Sequence, residues 1–158
     1  MFVSDACQQA RVRPYDSVDK QVLQTHWDKA LRQFERQDWA ACIARAAATA
    51  EMAANIYVRR LGRGKYALPA PVVAALIAAA NGLEGIFRGL IRPTAERRGA
   101  RSEMIHVQKR IESLSALAGV ADSARAISRA DAKSAVESSF AIIRAFAPRE
   151  SVRLSLPF

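Results

Sequence analysis

Histidine, cysteine and tryptophan occur only twice each in 158 residues, which leaves little of the usual catalytic and metal-binding equipment. Cys7 and Cys42 are far apart, and neither belongs to a Cys-x-x-Cys or Cys/His cluster. A disulfide scaffold and a structural metal site are therefore not expected, nor is a cofactor. The sequence also lacks a Gly-x-Gly-x-x-Gly or Walker loop, a Gly-x-Ser-x-Gly elbow and a His-Glu-x-x-His pair, so several large enzyme classes lose their signatures at once. Met1 to Lys20 has no apolar run to serve as a secretory signal, which makes the cytoplasm the default expectation. The stretch from Val72 to Ile91 is apolar, but it carries Asn81, Glu84, Arg88 and three glycines. That composition suits a buried bundle helix better than a membrane span, and no membrane partner is expected.

What the chain does have is aliphatic bulk and positive charge. Hydrophobic residues make up 51% and charged residues 25%, enough for one globular domain with an ordinary core. The formal net charge is +9, and its placement is uneven. Residues 59 to 110 hold eleven Lys or Arg against Glu84, Glu96 and Glu103, while the rest of the chain is nearly neutral. Such a field favours an anionic partner.

The periodicity predicts an all-α domain, an up-down bundle of about five helices spanning residues 17 to 147, between an extended arm (1–16) and an extended tail (148–158). Val22, Leu23, Trp27, Ala30, Leu31 and Phe34 mark a first helix ending near Gln37. Asp38 suits the N-cap of a second, whose narrow face of Ile43, Ala47, Ala50, Ala54, Tyr57 or Val58, and Leu61 lets a neighbour approach closely. Gly62 and Gly64 end it. A third helix is expected to start by Pro69 and Pro71 and to run to Leu90 as the central element, because Val72 to Ala80 is apolar all round. Met104, Val107, Ile111, Leu114 and Ala118 give a fourth. Gly119 to Ile127 reads as a loop, and Ser128 with Asp131 reads as a capping box for a last helix reaching Ala147. In the tail, Val152, Leu154, Leu156 and Phe158 alternate with other residues, as in an extended segment laid across a groove of its own bundle or of a partner.

Candidate chemistry is sparse. His106 lies among Arg97, Arg98, Arg101, Lys109 and Arg110. Histidine moves protons near neutral pH and arginine grips phosphate with two hydrogen bonds, so metal-free phosphodiester cleavage has its ingredients here. On one continuous helix, however, five residues turn about 140°, which places Arg101 and His106 on different flanks. They share a site only if the helix starts between them or a second subunit supplies the other half. Glu103, His106 and Arg110 do share a flank. Glu51, set among Ala47, Ala54 and Val58, calls for a partner, with Arg88 the obvious choice; a catalytic or substrate-holding carboxylate is the alternative. Arg88, Arg92, Arg97, Arg98, Lys109 and Arg110 form a candidate surface for RNA or an acidic protein. Aromatics for base stacking are scarce beside it, only Phe87 and Tyr66, so sequence-specific reading of single strands is not supported.

The order of elements resembles the HEPN superfamily of small helical domains. The stretch from Asp38 to Val58 (DWAACIARAAATAEMAANIYV) is similar to that superfamily's second helix, Asn81, Gly82 and Leu83 to a pattern in its next one, and Ile127 to Ala132 (ISRADA) to the start of its closing helix. The resemblance spans roughly residues 19 to 147. It implies a homodimer, as do the closely packing Ala and Gly faces. In active members an Arg followed four to six residues later by His forms a metal-independent ribonuclease site completed across the dimer, and Arg101 and His106 fit that spacing. This chain departs in having Ser102 where a polar residue, often Asn, follows the Arg, and Val107 where a small residue follows the His. The motif's usual place, just before the closing helix, here holds Leu117, Ala118 and Asp122. The leading expectation is thus a non-catalytic HEPN-like module binding RNA or an acidic partner. A ribonuclease using Arg101 and His106, and a scaffold docking a partner through its tail, are the alternatives.

Overall fold

The computed structural model describes residues 17–60, 70–80, 82–93, 99, 101–121, 126–147 and 153–158. Among them the chain is all-α, six helices packed as a bundle without a strand. These are α1 (Ser17–Glu35), α2 (Trp39–Arg60), α3 (Ala70–Ala80), α4 (Leu83–Ile86), α5 (Arg101–Ala121) and α6 (Arg129–Phe146), with a π-helical turn, Phe87–Ile91, continuing α4. The arm 1–16, the break at Gly62 to Pro69 and the residues 122–125 lie outside the described residues.

The connection between α1 and α2 shows how local chemistry sets the hairpin. Gln37 adopts a positive φ of 62°. The Asp38 amide donates to the Gln33 carbonyl (3.0 Å) and the Gln37 amide to that of Phe34 (3.0 Å), the paired bonds of a Schellman stop. The Asp38 carbonyl then accepts the first bond of α2, from Cys42, at 2.9 Å. Leu23, Trp27, Ala30 and Phe34 are buried on α1 as the period requires, whereas Val22 is 40% exposed. On α5, Val107, Ile111 and Leu114 are buried, and the helix continues through Gly119 to Ala121 rather than yielding to a loop. At the start of α6, Ser128 Oγ accepts from the Asp131 amide (3.2 Å) while the Ser128 amide donates to Asp131 Oδ2 (3.0 Å), so the capping box forms with Asp in place of Glu.

The centre of the bundle is α2, not α3. Cys42, Ile43, Ala46, Thr49, Ala50, Ala53, Ala54 and Ile56 are all buried, a wider arc than the narrow face expected. Helix α2 packs most extensively on α6 and α1, and also meets α5, α3 and α4. Helix α3 lies outside, with Val72 44% and Leu76 40% exposed. Its expected continuation to Leu90 is interrupted at Gly82, where φ is +102° and an α-helix cannot pass. The Gly82 carbonyl instead caps α4 by accepting from Ile86 at 2.9 Å. Gly85 makes the bend possible, because a Cβ there would overlap the backbone carbonyl of Ala80 at the end of α3. Glycines at 82 and 85 thus serve a change of direction, while Gly89 has open space around it.

Gly85→Ala is expected to destabilise the fold by about 3 kcal/mol or more, since a backbone atom cannot yield as a side chain does. Gly89→Ala, where nothing collides, should be neutral or gain up to about 1 kcal/mol. Urea unfolding midpoints of the two variants check the contrast.

Candidate functional site

Of the described basic residues between 59 and 110, Arg59 and Arg60 end α2, Arg88 and Arg92 lie on and just after the π-helical turn, and Arg101, Lys109 and Arg110 lie on the first half of α5. Arg88, exposed on the turn, lies 3.1 Å from Glu84 one turn earlier and 3.8 Å from Glu112 on α5. Arg92 Nη1 donates to Gln108 Oε1 at 2.7 Å, and Gln108 Nε2 donates to Glu112 Oε1 at 3.1 Å. A polar ladder therefore ties the turn to α5. Being exposed, its ion pairs contribute on the order of 0–1 kcal/mol each, and they fix geometry more than they add stability. They also offset part of the charge on Arg88. Lys109 and Arg110, both exposed, have no carboxylate partner among the described residues. Of the expected anion-binding residues, the structure brings Arg88 and Arg92 onto one ladder and presents Lys109 and Arg110 on α5. Arg97 and Arg98 lie outside the described residues.

Helix α5 begins at Arg101 and runs unbroken past His106. The helix start thus does not fall between the two residues, and on one chain their Cα positions diverge by about 140° around the axis. Of the two side chains only that of His106 is described; it is exposed, as are Glu103 and Arg110 on its flank. A joint site for Arg101 and His106 accordingly needs a second copy to supply one half.

Glu51 does not meet Arg88. The expectation extrapolated one helical phase across residues 72 to 90, and the break at Gly82 resets that phase, so Arg88 faces Glu84 and Glu112 instead. The Glu51 carboxylate lies beside Gly82, with Oε1 3.6 Å from where a Cβ would stand, and makes no ion pair or hydrogen bond among the described residues. It opens into a cleft of about 340 Å³ between α2 and α5, also lined by Ala44, Ala47, Ala48, Leu83, Leu114, Ser115 and Ala118.

The contact between His26 and Arg45 escaped the sequence reading, and the seat of the tail stood open between two hosts. His26, half-buried on α1, has its Nδ1 3.1 Å from Arg45 Nη1 on α2. Guanidinium only donates, so Nδ1 accepts and the imidazole is neutral with its proton on Nε2. Burial, and then the charges of Arg45 and Lys29, hold its pKa below the ordinary histidine value. The two residues are roughly equidistant from the α1–α2 turn, which in a helical hairpin is the available signal for facing positions. The tail is the other feature. Gln24 Oε1 accepts from the Arg153 amide (2.7 Å) and Nε2 donates to the Arg153 carbonyl (2.8 Å). The Phe158 ring sits 5.2 Å from that of Phe34 and 5.1 Å from Lys133 Nζ. The described tail therefore lies on its own bundle; Ser151 and Val152 are outside the described residues. Burial, seconded by Asp38, pushes the Cys42 thiol up to about 11, which keeps it protonated and unreactive.

No helix among the described residues is long and apolar enough to cross a membrane. Among them no three His, Cys, Asp or Glu side chains group closely enough to hold a metal ion. No protein-family model, curated protein or solved structure matches the chain.

The neutral state of His26 has a pH consequence. Its folded pKa is lowered, so the unfolded chain takes up the proton first as pH falls. The stability tied to this residue is complete above about pH 6.5 and is lost below it, towards the folded pKa. His26→Gln keeps an acceptor for Arg45 but does not titrate. Its urea midpoint should change less than that of the wild type between about pH 7 and pH 5.

Proposed function

We propose that this protein is a non-catalytic, HEPN-like helical module that binds RNA through the basic surface built from the π-helical turn and α5. The observation that carries the reading is the exposure of Lys109 and Arg110 on α5 without a carboxylate partner among the described residues, within a stretch of sequence, 59 to 110, that holds eleven Lys or Arg against three Glu. Nine of the eleven are arginine. Guanidinium grips a phosphate with two parallel hydrogen bonds and a carboxylate in the same way, so the arginines suit either anion, and the binding experiments below separate RNA from an acidic polypeptide. Few aromatics accompany these residues, so the expected recognition is of backbone and shape rather than of base sequence.

A metal-independent ribonuclease is the second reading, with His106 as general acid or base and Arg101 holding the phosphate. The unbroken helix makes it conditional on a homodimer, in which one copy's His106 meets the other's Arg101. The third reading, docking of a partner through Ser151 to Phe158, would require the tail to leave Gln24 and Phe34.

RNA affinity should fall steeply between about 50 and 200 mM salt. Neutralising Lys109 or Arg110 should weaken binding roughly threefold to tenfold and lower the salt slope by about 1 each, uniformly across sequences. Filter binding over a salt series measures both. Salt-sensitive capture of an acidic polypeptide in place of RNA would move the proposal to a protein partner. RNA incubated with chelator should stay intact on a denaturing gel; cleavage that disappears in His106→Ala would replace the binding module with the ribonuclease.

A further inference from the structure

The cleft between α2 and α5 combines two properties seldom found together on a surface of this charge. Its walls are methyl groups and aliphatic chains, from Ala44, Ala47, Ala48 and Ala118 with Leu83 and Leu114. Among the described residues, the one ionisable side chain lining it is Glu51, and Ser115 is its other polar side chain. The carboxylate has no ion pair or hydrogen bond among the described residues, on a protein where Lys and Arg outnumber Asp and Glu by 24 to 15. A carboxylate set beside alanine methyl groups with no counter-charge is an open partner for a guest that brings one. Alanine walls leave room for a narrow apolar chain alongside, as the stem of a lysine lies on apolar surface with its head at a charge. The volume, about 340 Å³, falls at the lower end of small-ligand pockets.

We infer that this cleft binds an alkylammonium group, its nitrogen on the Glu51 carboxylate and a short aliphatic body along Ala47, Ala48 and Ala118. The group comes from a free small amine or from a lysine side chain of a second copy. The overall positive field opposes any cation at long range, so selectivity resides in contact: ammonium to carboxylate and methylene to methyl. Beyond about 8 Å at physiological ionic strength that opposing field is largely screened. The inference does not rest on RNA binding, since neither Glu51 nor the alanines belong to the basic surface.

The test is a titration of the full chain with n-butylammonium chloride at physiological ionic strength, following the amide resonances of Gly82, Ser115 and Ala118, with n-butanol as the neutral probe of the same body. Sedimentation velocity first fixes a concentration at which the protein is monomeric. Saturable shifts are expected with the ammonium, at least fivefold weaker with the alcohol and at least tenfold weaker in Glu51→Gln. Ala118→Leu, which keeps the carboxylate and fills the cleft, should abolish them, so the conclusion does not hang on one variant. Equal binding of alcohol and ammonium, unchanged binding in Glu51→Gln, or no saturable shift in the monomeric wild type overturns the site. At higher protein concentration, self-association that Glu51→Gln removes and butylammonium reverses assigns the nitrogen to a second copy's lysine. Butylammonium binding with no Glu51-dependent self-association at the higher concentration assigns it to a free amine.

Discussion

The close approach of α2 and α6 is the constraint from which the rest of the bundle follows. Ser139 Oγ, fully buried on α6, donates to the carbonyl of Ala46 on α2 at 2.8 Å. A hydroxyl on one helix reaches a backbone carbonyl of another only where the side chains between them are small, and here they are Ala46, Ala50, Ala53, Ala132 and Ala135, all buried. The bond also satisfies a polar group that would otherwise cost about 1–3 kcal/mol in the core. With the two backbones so near, bulk is pushed to the flanks of the seam. Trp27 packs towards Phe140, with ring centroids 6.1 Å apart, and Tyr57 and Phe87 approach Phe146 at 5.2 and 6.5 Å. The seam is thin and its borders are aromatic, which lets the six described helices pack closely.

That arrangement explains which parts of the fold were legible in the sequence. Helices α1, α5 and α6 carry Leu, Ile, Val, Phe or Trp at spacings of three and four, and their caps use residues with one dominant conformational use, such as Ser128 with Asp131. Local pattern and tertiary role agree there. In α2 they diverge, because alanine fits any face. The expected narrow stripe missed Ala46, Ala53 and Ile56, which are buried because neighbours surround the helix on several sides.

The misplaced centre has the same origin. Six of the eleven residues of α3 are alanine, and a run without polar residues reads as one that must be covered. Covering a methyl group contributes only about 0.8 kcal/mol, so exposing several is tolerable, whereas length decides how many neighbours a helix can serve. At about 1.5 Å per residue, α2 is roughly 33 Å long and α3 roughly 16 Å. Of the two, the longer one packs extensively on α1, α5 and α6. The break after α3 was hidden by the same periodicity argument: Gly82 and Gly85 were visible as weak points of a helix, but that they mark a turn depends on the carbonyl of Ala80 lying against Gly85.

For the site, the sequence yielded charge and composition but not pairing. The density of arginine between residues 59 and 110 needs only counting. Which arginine finds which glutamate depends on helical phase across Gly82 and the π-helical turn, and neither leaves a signature in spacing. The consequence reaches beyond geometry. Had Arg88 met Glu51, as one continuous helix would suggest, the cleft would be neutral and the outer surface would keep Glu84 and Glu112 unpaired. The turn instead spends Arg88 on the outer ladder and leaves a carboxylate in the cleft. An exposed basic pair on α5 and a lone carboxylate in the cleft between α2 and α5 thus follow from a single change of direction at two glycines.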